Sequence, residues 1–304
     1  MYSLSEEERR YLLRKLLPEA RENEVHSELR GWNWHNPPLA PVYDVRLGIY
    51  EIANKYCPTG RDVYLRRVLG IKAPPNLLMV EGQMLHDAMA EIILRAKQVI
   101  YAQGVDCLDG LQALQKPPAG LLEKYELPED KKAEAWRKVE ILWAFEHRRI
   151  LVRIQDILAR QPYIGPDSLV SLALPVVVEQ KLDGRFLGLS PYLSADAFLF
   201  AEPMILDIKF DERRDFHRLS TTGYALVMES LFEFPVNVGC IVYPEFRGDR
   251  LIIKRDFHLI DDELRQWFIE ERDERGRMVE EEIDPGIAEE CYAECPYWRE
   301  CHPE

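Results

Sequence analysis

The chain has 304 residues, of which 47% are hydrophobic and 30% are charged, and its formal net charge is −14. This composition is that of a folded globular protein with enough residues for a large core. The longest apolar run, residues 169–178, contains a serine and a proline and is too short to cross a bilayer, which excludes that kind of membrane protein. The first residues are charged throughout and lack the apolar centre of a signal peptide, so we expect a cytoplasmic protein.

The negative charge is concentrated in one segment. Residues 261–290 contain thirteen acidic residues and four arginines, a net charge of −9, which leaves −5 for the other 274 residues. Basic clusters remain at residues 61–72, 148–153 and 213–218. The total charge therefore does not exclude a nucleic acid partner, although a strongly basic surface is missing.

Helices dominate the elements predicted for the first half of the chain. The opening segment MYSLSEEERRYLLRKLL predicts an amphipathic helix with a capping box at Ser5 and Glu8. Residues 22–44 are irregular, and a short helix is predicted over residues 61–69. Long helices are predicted over residues 79–103 and 130–160, with a break that contains Pro and Gly at residues 117–129. We therefore expect an N-terminal helical region over residues 1–165.

Strands follow after residue 174. The segment LPVVVEQKLDGRFLGL predicts a hairpin that turns at Asp183-Gly184, and YLSADAFLF and PMILDIKF predict two strands joined near Glu202-Pro203. A helix over residues 213–232, two strands in VNVGCIVYP and RLIIKRDFHL, and an acidic helix from Asp261 to Glu282 complete the pattern. The order predicts an α/β (α+β) fold with a mixed sheet flanked by helices. Its core is expected in residues 166–260, and residues 261–304 complete one composite domain.

Two acidic residues and a lysine stand on consecutive predicted strands. Asp207 and Lys209 project to the same side because side chains alternate along a strand, and Asp196 lies beside them if the two strands pair. Two carboxylates can hold Mg²⁺ or Mn²⁺, and a nearby ammonium can orient an attacking water for phosphodiester hydrolysis. The simplest alternative is an ion pair. The strand MILDIKF is apolar up to these charges, however, so they need partners or a metal.

Two further residues are candidates for the same site. His86, near the start of a long predicted helix, could give a nitrogen ligand to the metal, although a lone histidine there is more often structural. Tyr224 lies on the helix after the strand and could reach phosphate or the lysine, although a core tyrosine is the simpler interpretation.

Three of the six cysteines stand in the last fourteen residues. Cys291, Cys295 and Cys301 could surround one metal centre, and Cys57 is the candidate fourth ligand. Iron and zinc both suit four thiolates. A reducing cytoplasm makes a disulfide framework a poor explanation of this cluster. The other two cysteines, Cys107 and Cys240, stand in mixed and apolar surroundings and are interpreted as packed thiols.

The order of these residues resembles a known family. Cys57, Gly82-x3-His86, Asp196, Asp207-x-Lys209, Tyr224 and then the three terminal cysteines are similar to the RecB-like iron–sulfur nucleases of the PD-(D/E)xK superfamily. Within them, the spacing resembles the CRISPR-associated Cas-four family. The phrases LSADAFLF, LDIKF, TTGYALVMES and VGCIVYPEF resemble its archaeal Csa-one subgroup. The resemblance covers nearly the whole chain.

The resemblance implies a restriction-endonuclease-like fold and a role for each matching residue. His86, Asp196, Asp207 and the carbonyl of Ile208 would bind Mn²⁺ or Mg²⁺. Lys209 would act on the attacking water or the scissile phosphate, and Tyr224 would contact the lysine or DNA. Four cysteines would hold a structural [4Fe-4S] cluster that fastens the C-terminal segment to the rest of the chain as a clasp. They are Cys57, Cys291, Cys295 and Cys301.

The resemblance also implies a substrate and partners. The substrate would be single-stranded or end-frayed DNA. The partners would be the CRISPR integrase and other adaptation proteins, and no membrane would be involved. The implied activity is that of a DNA exonuclease that processes the single-stranded ends of new spacers.

The chain departs from the family pattern at three places. Asp207 stands where most relatives have Glu, and Ser220 replaces the Gln of the Gln-x3-Tyr motif. Three residues rather than two separate Cys291 from Cys295. The first two departures bear on the level of activity, so a weakly active or non-catalytic DNA-binding scaffold of the spacer-acquisition complex is the alternative. An electron carrier is a further alternative, but no flavin or redox-partner site is visible in the sequence.

Overall fold

A five-stranded mixed sheet forms the centre of the computed structural model, which describes residues 1–292 and 294–303. The strands are β1 (Val176–Leu182), β2 (Leu193–Leu199), β3 (Met204–Ile208), β4 (Val238–Arg247) and β5 (Arg250–Leu259). They lie in the order β1-β2-β3-β4-β5, and only the β3/β4 pair is parallel. The parallel pair needs a crossover connection, which a helix over residues 218–232 provides.

The helices occupy both sides of this sheet. They are α1 (Glu6–Tyr11), α2 (Leu17–Glu22), α3 (Ile49–Ala53), α4 (Arg61–Arg67), α5 (Leu77–Gln103), α6 (Leu108–Gln112), α7 (Glu129–Arg160), α8 (Pro166–Ala173), α9 (Arg218–Phe232), α10 (Asp262–Glu280) and α11 (Trp298–Cys301). A π-helical segment, Leu12–Leu16, joins α1 to α2. None of the described helices combines the length and apolar composition that a membrane-spanning helix needs.

Two hydrophobic cores flank the sheet. One core packs α5, α7 and α8 against one face, where β3 contributes Met204, Leu206 and Ile208. The other packs α3, α4, α9 and α10 against the opposite face, where β3 contributes Ile205. This alternation directs Asp207 and Lys209 towards the face that α9 covers, because side chains two residues apart share one face of a strand.

A buried ion network fixes α9 in place. Glu229 is fully buried, and its carboxylate accepts hydrogen bonds from Arg265 of α10 at 2.7 and 2.9 Å and from Arg30 at 2.9 Å. The backbone N–H groups of Gly31 and Val236 donate to the same carboxylate at 2.9 and 3.0 Å. With five donors the buried charge is compensated, so the network ties α9, α10 and the N-terminal loop together.

Most predicted elements are confirmed. The capping box at Ser5 and Glu8 is present, the long helices are α5 and α7, and β2 and β3 are joined at residues 200–203. The mixed sheet flanked by helices is the predicted fold class. The acidic helix is α10, with Asp261 as its N-cap.

The hairpin predicted at Asp183-Gly184 is wrong. β1 pairs with β2, and ten residues separate the two strands, including a 3-10 turn at Arg185–Leu187. A two-residue type I′ turn needs positive φ at both central residues, whereas Gly184 has φ −90°. The loop is held instead by a backbone bridge from Leu47 to Leu189, a long-range contact with no local signal in the sequence. Residues 213–217, predicted as helix, form a loop and a 3-10 turn before α9.

Candidate active site and cysteine cleft

Asp196 and Asp207 stand at a fork between two strands. The antiparallel pairing of β2 with β3 ends at Ala197 and Leu206, so the two acidic residues are the next in each strand where the strands separate. The backbone N–H of Ile208 reaches across this fork and donates to Asp196 Oδ2 at 2.9 Å. The structure thus brings together the two carboxylates that the sequence singled out.

A histidine and a lysine lie against these carboxylates. From α5, His86 places Nδ1 3.2 Å from Asp196 Oδ2, and the ring of Phe210 meets the imidazole edge-on at 5.3 Å. Lys209 places Nζ 2.8 Å from Asp207 Oδ2, and its backbone N–H donates to the carbonyl of Val242 on β4 at 2.9 Å. The fork therefore holds two carboxylates, an imidazole and an ammonium, in contacts that link all four side chains in pairs.

Burial and these contacts shift the pKa values in opposite directions. Burial raises the pKa of Asp207, and the charge of Asp196 adds to this effect, although the nearby Lys209 opposes it. Burial also disfavours the charged form of Asp196, but His86 and Lys209 outweigh it and lower that pKa. For both His86 and Lys209, the carboxylates outweigh the cost of burial and raise the pKa. The site is thus held together by charge pairing in a poorly solvated place, as is common at catalytic sites.

The donors are of the kinds that bind a hard divalent cation, but in this structure Asp207 pairs with Lys209 and Asp196 contacts His86. Among the described His, Cys, Asp and Glu side chains, no three converge closely enough to hold one ion. Binding of a cation would replace the contacts of Lys209 with Asp207 and of His86 with Asp196. Two carboxylates, an imidazole and the backbone carbonyl of Ile208 are ligands that Mn²⁺ accepts, and the oxygen donors among them also suit Mg²⁺.

Helix α9 supplies the other side of the site. Ser220 Oγ lies 3.1 Å from Asp207 Oδ2 and 2.7 Å from the carbonyl oxygen of His217. The hydroxyl of Tyr224 donates to the backbone carbonyl of Ser194 at 2.6 Å, so it holds strand β2 rather than the lysine. Burial raises the pKa of Tyr224, and the two carboxylates add to this effect, so the phenol stays protonated.

A hydrogen-bonded chain behind the lysine was missed by sequence reasoning. The hydroxyl of Tyr56 donates to Asp211, so its oxygen accepts from His217 Nε2 at 2.9 Å. His217 Nδ1 then accepts from the hydroxyl of Tyr243 at 3.1 Å. Burial, and then the charge of Lys209, lower the pKa of His217 to about 4, so the imidazole is neutral at neutral pH. These residues come from three separate segments of the chain, and no local pattern marks them.

The N-terminal residues also lie near the fork, which the sequence did not indicate. Tyr2 is 2% exposed, and burial followed by the charges of Asp196 and Asp207 raises the pKa of its phenol. Arg149 and Arg255 donate to the backbone carbonyl of Ser3 at 2.7 and 3.1 Å. The charged opening helix is therefore preceded by buried residues.

A second cleft, of about 390 Å³, collects the four cysteines that the sequence grouped together. Cys57 reaches the three terminal cysteines, Cys291, Cys295 and Cys301, although more than two hundred residues separate it from them. Arg61 supports the assembly, since it donates to Cys301 Sγ at 3.4 Å and pairs with Asp284 at 2.8 Å.

The chemistry of this cleft suits a metal centre. Burial raises the pKa of Cys295, and the charges of Cys57 and Cys301 add to this effect, as expected where thiols crowd together. Cys107 and Cys240 are fully buried in the other core and stand apart from the cleft. Tyr56 lines the cleft and also carries the hydrogen-bonded chain, so the two sites share this residue.

Comparisons with known proteins cover nearly the whole chain. A family model described as "CRISPR-associated exonuclease Csa1" matches residues 1–304. A protein of that name from Saccharolobus solfataricus is 32% identical over 281 residues, which are 92% of this chain and 93% of that protein. Another from Thermoproteus tenax is 29% identical over 278 residues, 91% of this chain and 92% of its own length. No solved structure matches the chain.

Proposed function

The chain belongs to the family of CRISPR-associated exonucleases named Csa1, and from that premise we propose that it hydrolyses DNA phosphodiester bonds at the fork between β2 and β3. The observation that carries this proposal is the pair of carboxylates where two strands part, with Lys209 2.8 Å from one of them. Asp196, Asp207 and His86 would hold Mn²⁺ or Mg²⁺, together with the carbonyl of Ile208. Such a cation polarises the phosphate and lowers the pKa of a bound water.

The protein groups around the cation have distinct roles in this proposal. Lys209 would direct its ammonium at the attacking water or at a phosphate oxygen, where negative charge develops. Ser220 keeps Asp207 in place through its hydroxyl. Tyr224 holds the backbone of β2 at Ser194, two residues before Asp196, and so fixes the direction of that carboxylate.

We propose that the substrate is the single-stranded or frayed end of new spacer DNA, processed in the cytoplasm beside the CRISPR integrase and other adaptation proteins. The acidic helix α10 suits a protein partner better than DNA. A weakly active or non-catalytic scaffold is the second candidate. It is favoured by Ser220, which offers no amide to DNA, and by the hydroxyl of Tyr224, which is occupied by the backbone.

We propose a [4Fe-4S] cluster for the cysteine cleft. Four thiols line one cleft, and four cysteine thiolates are the ligand set of a [4Fe-4S] cluster. The cluster would join Cys57 to the C-terminal segment and hold the helical region against the nuclease core. The loop that the cluster would close contains more than two hundred residues. Closing so long a loop removes much conformational entropy from the unfolded chain and so stabilises the folded state.

An end-labelled DNA cleavage assay in Mn²⁺ tests the function. We expect the wild type to shorten single strands and Asp207→Ala to be inactive. Asp249→Ala is the matched control, because Asp249 is a surface carboxylate, 79% exposed, that pairs with Arg137. Binding of DNA without cleavage by the wild type would decide for the scaffold. Iron and sulfide analysis of the same preparations, with about four irons per chain expected for such a cluster, separates iron from zinc.

A further inference from the structure

The loop between β1 and β2 presents two exposed side chains beside the strand that leads to Asp196. The ring of Tyr192 is 92% exposed and stands one residue before β2, and the side chain of Lys181 is 75% exposed near the end of β1. Neither residue has a role in the site described above. An aromatic ring and an ammonium next to a nuclease centre are the groups that bind bases and phosphates of a nucleic acid strand.

The register of the strands places these groups in line with the fork. Lys181 pairs with Ser194, and Glu179 stands opposite Asp196 between the pairs Val178–Ala197 and Gln180–Ala195. Lys181 therefore lies about 7 Å, and Tyr192 about 13 Å, from Asp196 along the strand direction, from a rise of about 3.3 Å per residue.

Lys181 contacts the serine that stands two residues before Asp196. Its Nζ lies 3.0 Å from Ser194 Oγ, and the carbonyl of the same serine accepts the hydroxyl of Tyr224. Glu179, which has a positive φ of 53° and is 40% exposed, accepts from Ser194 Oγ at 2.8 Å and lies 3.4 Å from the ammonium. An ion pair this exposed is weak, so a phosphate can replace Glu179 as the partner of Lys181.

The loop has a fixed inner side and an open outer side. Phe186 stacks on Trp34 with ring centres 4.5 Å apart and planes 11° apart, and Gly184 and Ser190 are joined by a backbone hydrogen bond of 3.0 Å. The backbone N–H of Tyr192 donates to Ser190 Oγ at 3.1 Å. The backbone before the tyrosine is therefore held in place, while its ring faces solvent.

We propose that this loop is a subsite for an unpaired DNA strand, with Lys181 on a backbone phosphate near the cut and Tyr192 stacked on a base farther away. The proposal rests on the proposed nuclease function and names the part of the substrate that the enzyme holds. It requires a single strand, because a tyrosine ring stacks on a base only where that base has a free face. Blunt duplex DNA has no such base, so we expect its cleavage not to depend on Tyr192.

Steady-state cleavage of a labelled oligothymidine by Tyr192→Ala tests this subsite. We expect KM to rise about 5- to 150-fold with kcat unchanged, from the usual strength of base–aromatic stacking. Tyr192→Phe should restore the wild-type KM, because the ring rather than the hydroxyl makes the contact. Lys181→Ala should raise KM and reduce the slope of log KM against log salt by about 0.7, the value for one phosphate contact on a single strand.

Tyr163→Ala is the matched control, because Tyr163 is 97% exposed in the connection between α7 and α8. Equal KM values for Tyr192→Ala and Tyr163→Ala would overturn the subsite while leaving the nuclease intact. An equal loss on blunt duplex would overturn the single-strand assignment. If the wild type cleaves nothing, fluorescence anisotropy with the same oligothymidine still decides. A higher Kd for Tyr192→Ala than for the wild type would then support the subsite although the proposed catalysis fails. An equal Kd for the two proteins would overturn the subsite as well as the catalysis.

Discussion

Removal of the ammonium from Lys209 is expected to impair both stability and catalysis. Lys209 Nζ lies 2.8 Å from Asp207 Oδ2, and the carboxylate is 7% exposed. In Lys209→Met the aliphatic stem is kept, but the carboxylate loses its charged partner and retains only Ser220. The loss of a charge-assisted hydrogen bond at a buried group costs about 1.5–3 kcal/mol. Loss of one group that stabilises developing charge lowers kcat about 10²- to 10³-fold.

Mn²⁺ separates these two effects. A cation bound at the fork supplies the missing positive charge, and a ligand at one hundred times its Kd stabilises the folded state by about 2.7 kcal/mol. Urea unfolding in EDTA should therefore show the variant less stable than the wild type, and Mn²⁺ should restore most of the difference. Cleavage should not recover, because the ammonium itself acts on the water or phosphate.

Lys254→Met is the control for this experiment. Lys254 also lies 2.8 Å from a carboxylate, that of Glu245, but the two side chains are 62% and 37% exposed. The two pairs have equal lengths and differ in burial, so the control should lose at most about 1 kcal/mol and keep its activity. The reasoning is refuted if both variants lose the same stability, or if Lys209→Met cleaves DNA at the wild-type rate.

Three further outcomes are expected from the cysteine cleft and the chain behind the lysine. Cys57→Ser should lose iron and melt at a lower temperature, whereas Cys107→Ala should keep its iron; a folded, active and iron-free Cys57→Ser would contradict the clasp. Tyr56→Phe should keep iron and KM but lower kcat, because its hydroxyl no longer fixes His217; an unchanged kcat would show that the chain does not position the site. His217 has a pKa lowered to about 4, so its contribution to stability is complete above about pH 6.5 and is lost as pH falls towards 4. In urea unfolding, the free energy of unfolding of the wild type should be about 2 kcal/mol lower at pH 5 than at neutral pH, and His217→Gln should not show this decrease. An equal pH dependence in the two proteins would refute the role of His217.

The sequence was most informative where local patterns determine the structure. The alternation of β3 sets the side on which Asp207 and Lys209 project, and an apolar strand that ends in charges marks the site. The capping box of α1 and the apolar periodicity of α5 and α7 gave the helices of the first half. These features depend on residues close together in the chain, which a single sequence displays.

Contacts between distant segments could not be predicted in this way. The turn expected at Asp183-Gly184 is displaced because Leu189 bridges to Leu47, far upstream. The chain from Tyr56 to His217 joins residues 161 positions apart, and neither stands in a recognisable motif.

The cysteines occupy an intermediate position between these two cases. Composition singled out the three terminal thiols, but only the folded chain shows that Cys57 lines the same cleft. Cys57 was the candidate fourth ligand from the sequence, and the structure places it in the cleft with the other three.

The dependence of DNA cleavage on Mn²⁺, measured for the wild type and for Asp207→Asn, tests the central claim most directly. We predict a saturable rate for the wild type and a loss of at least about 10³-fold in the variant. The variant should melt lower than the wild type in EDTA, because the substitution leaves the ammonium of Lys209 without its carboxylate partner. Cleavage by Asp207→Asn within tenfold of the wild type, or wild-type cleavage that persists in EDTA, would contradict a metal-dependent nuclease at this fork.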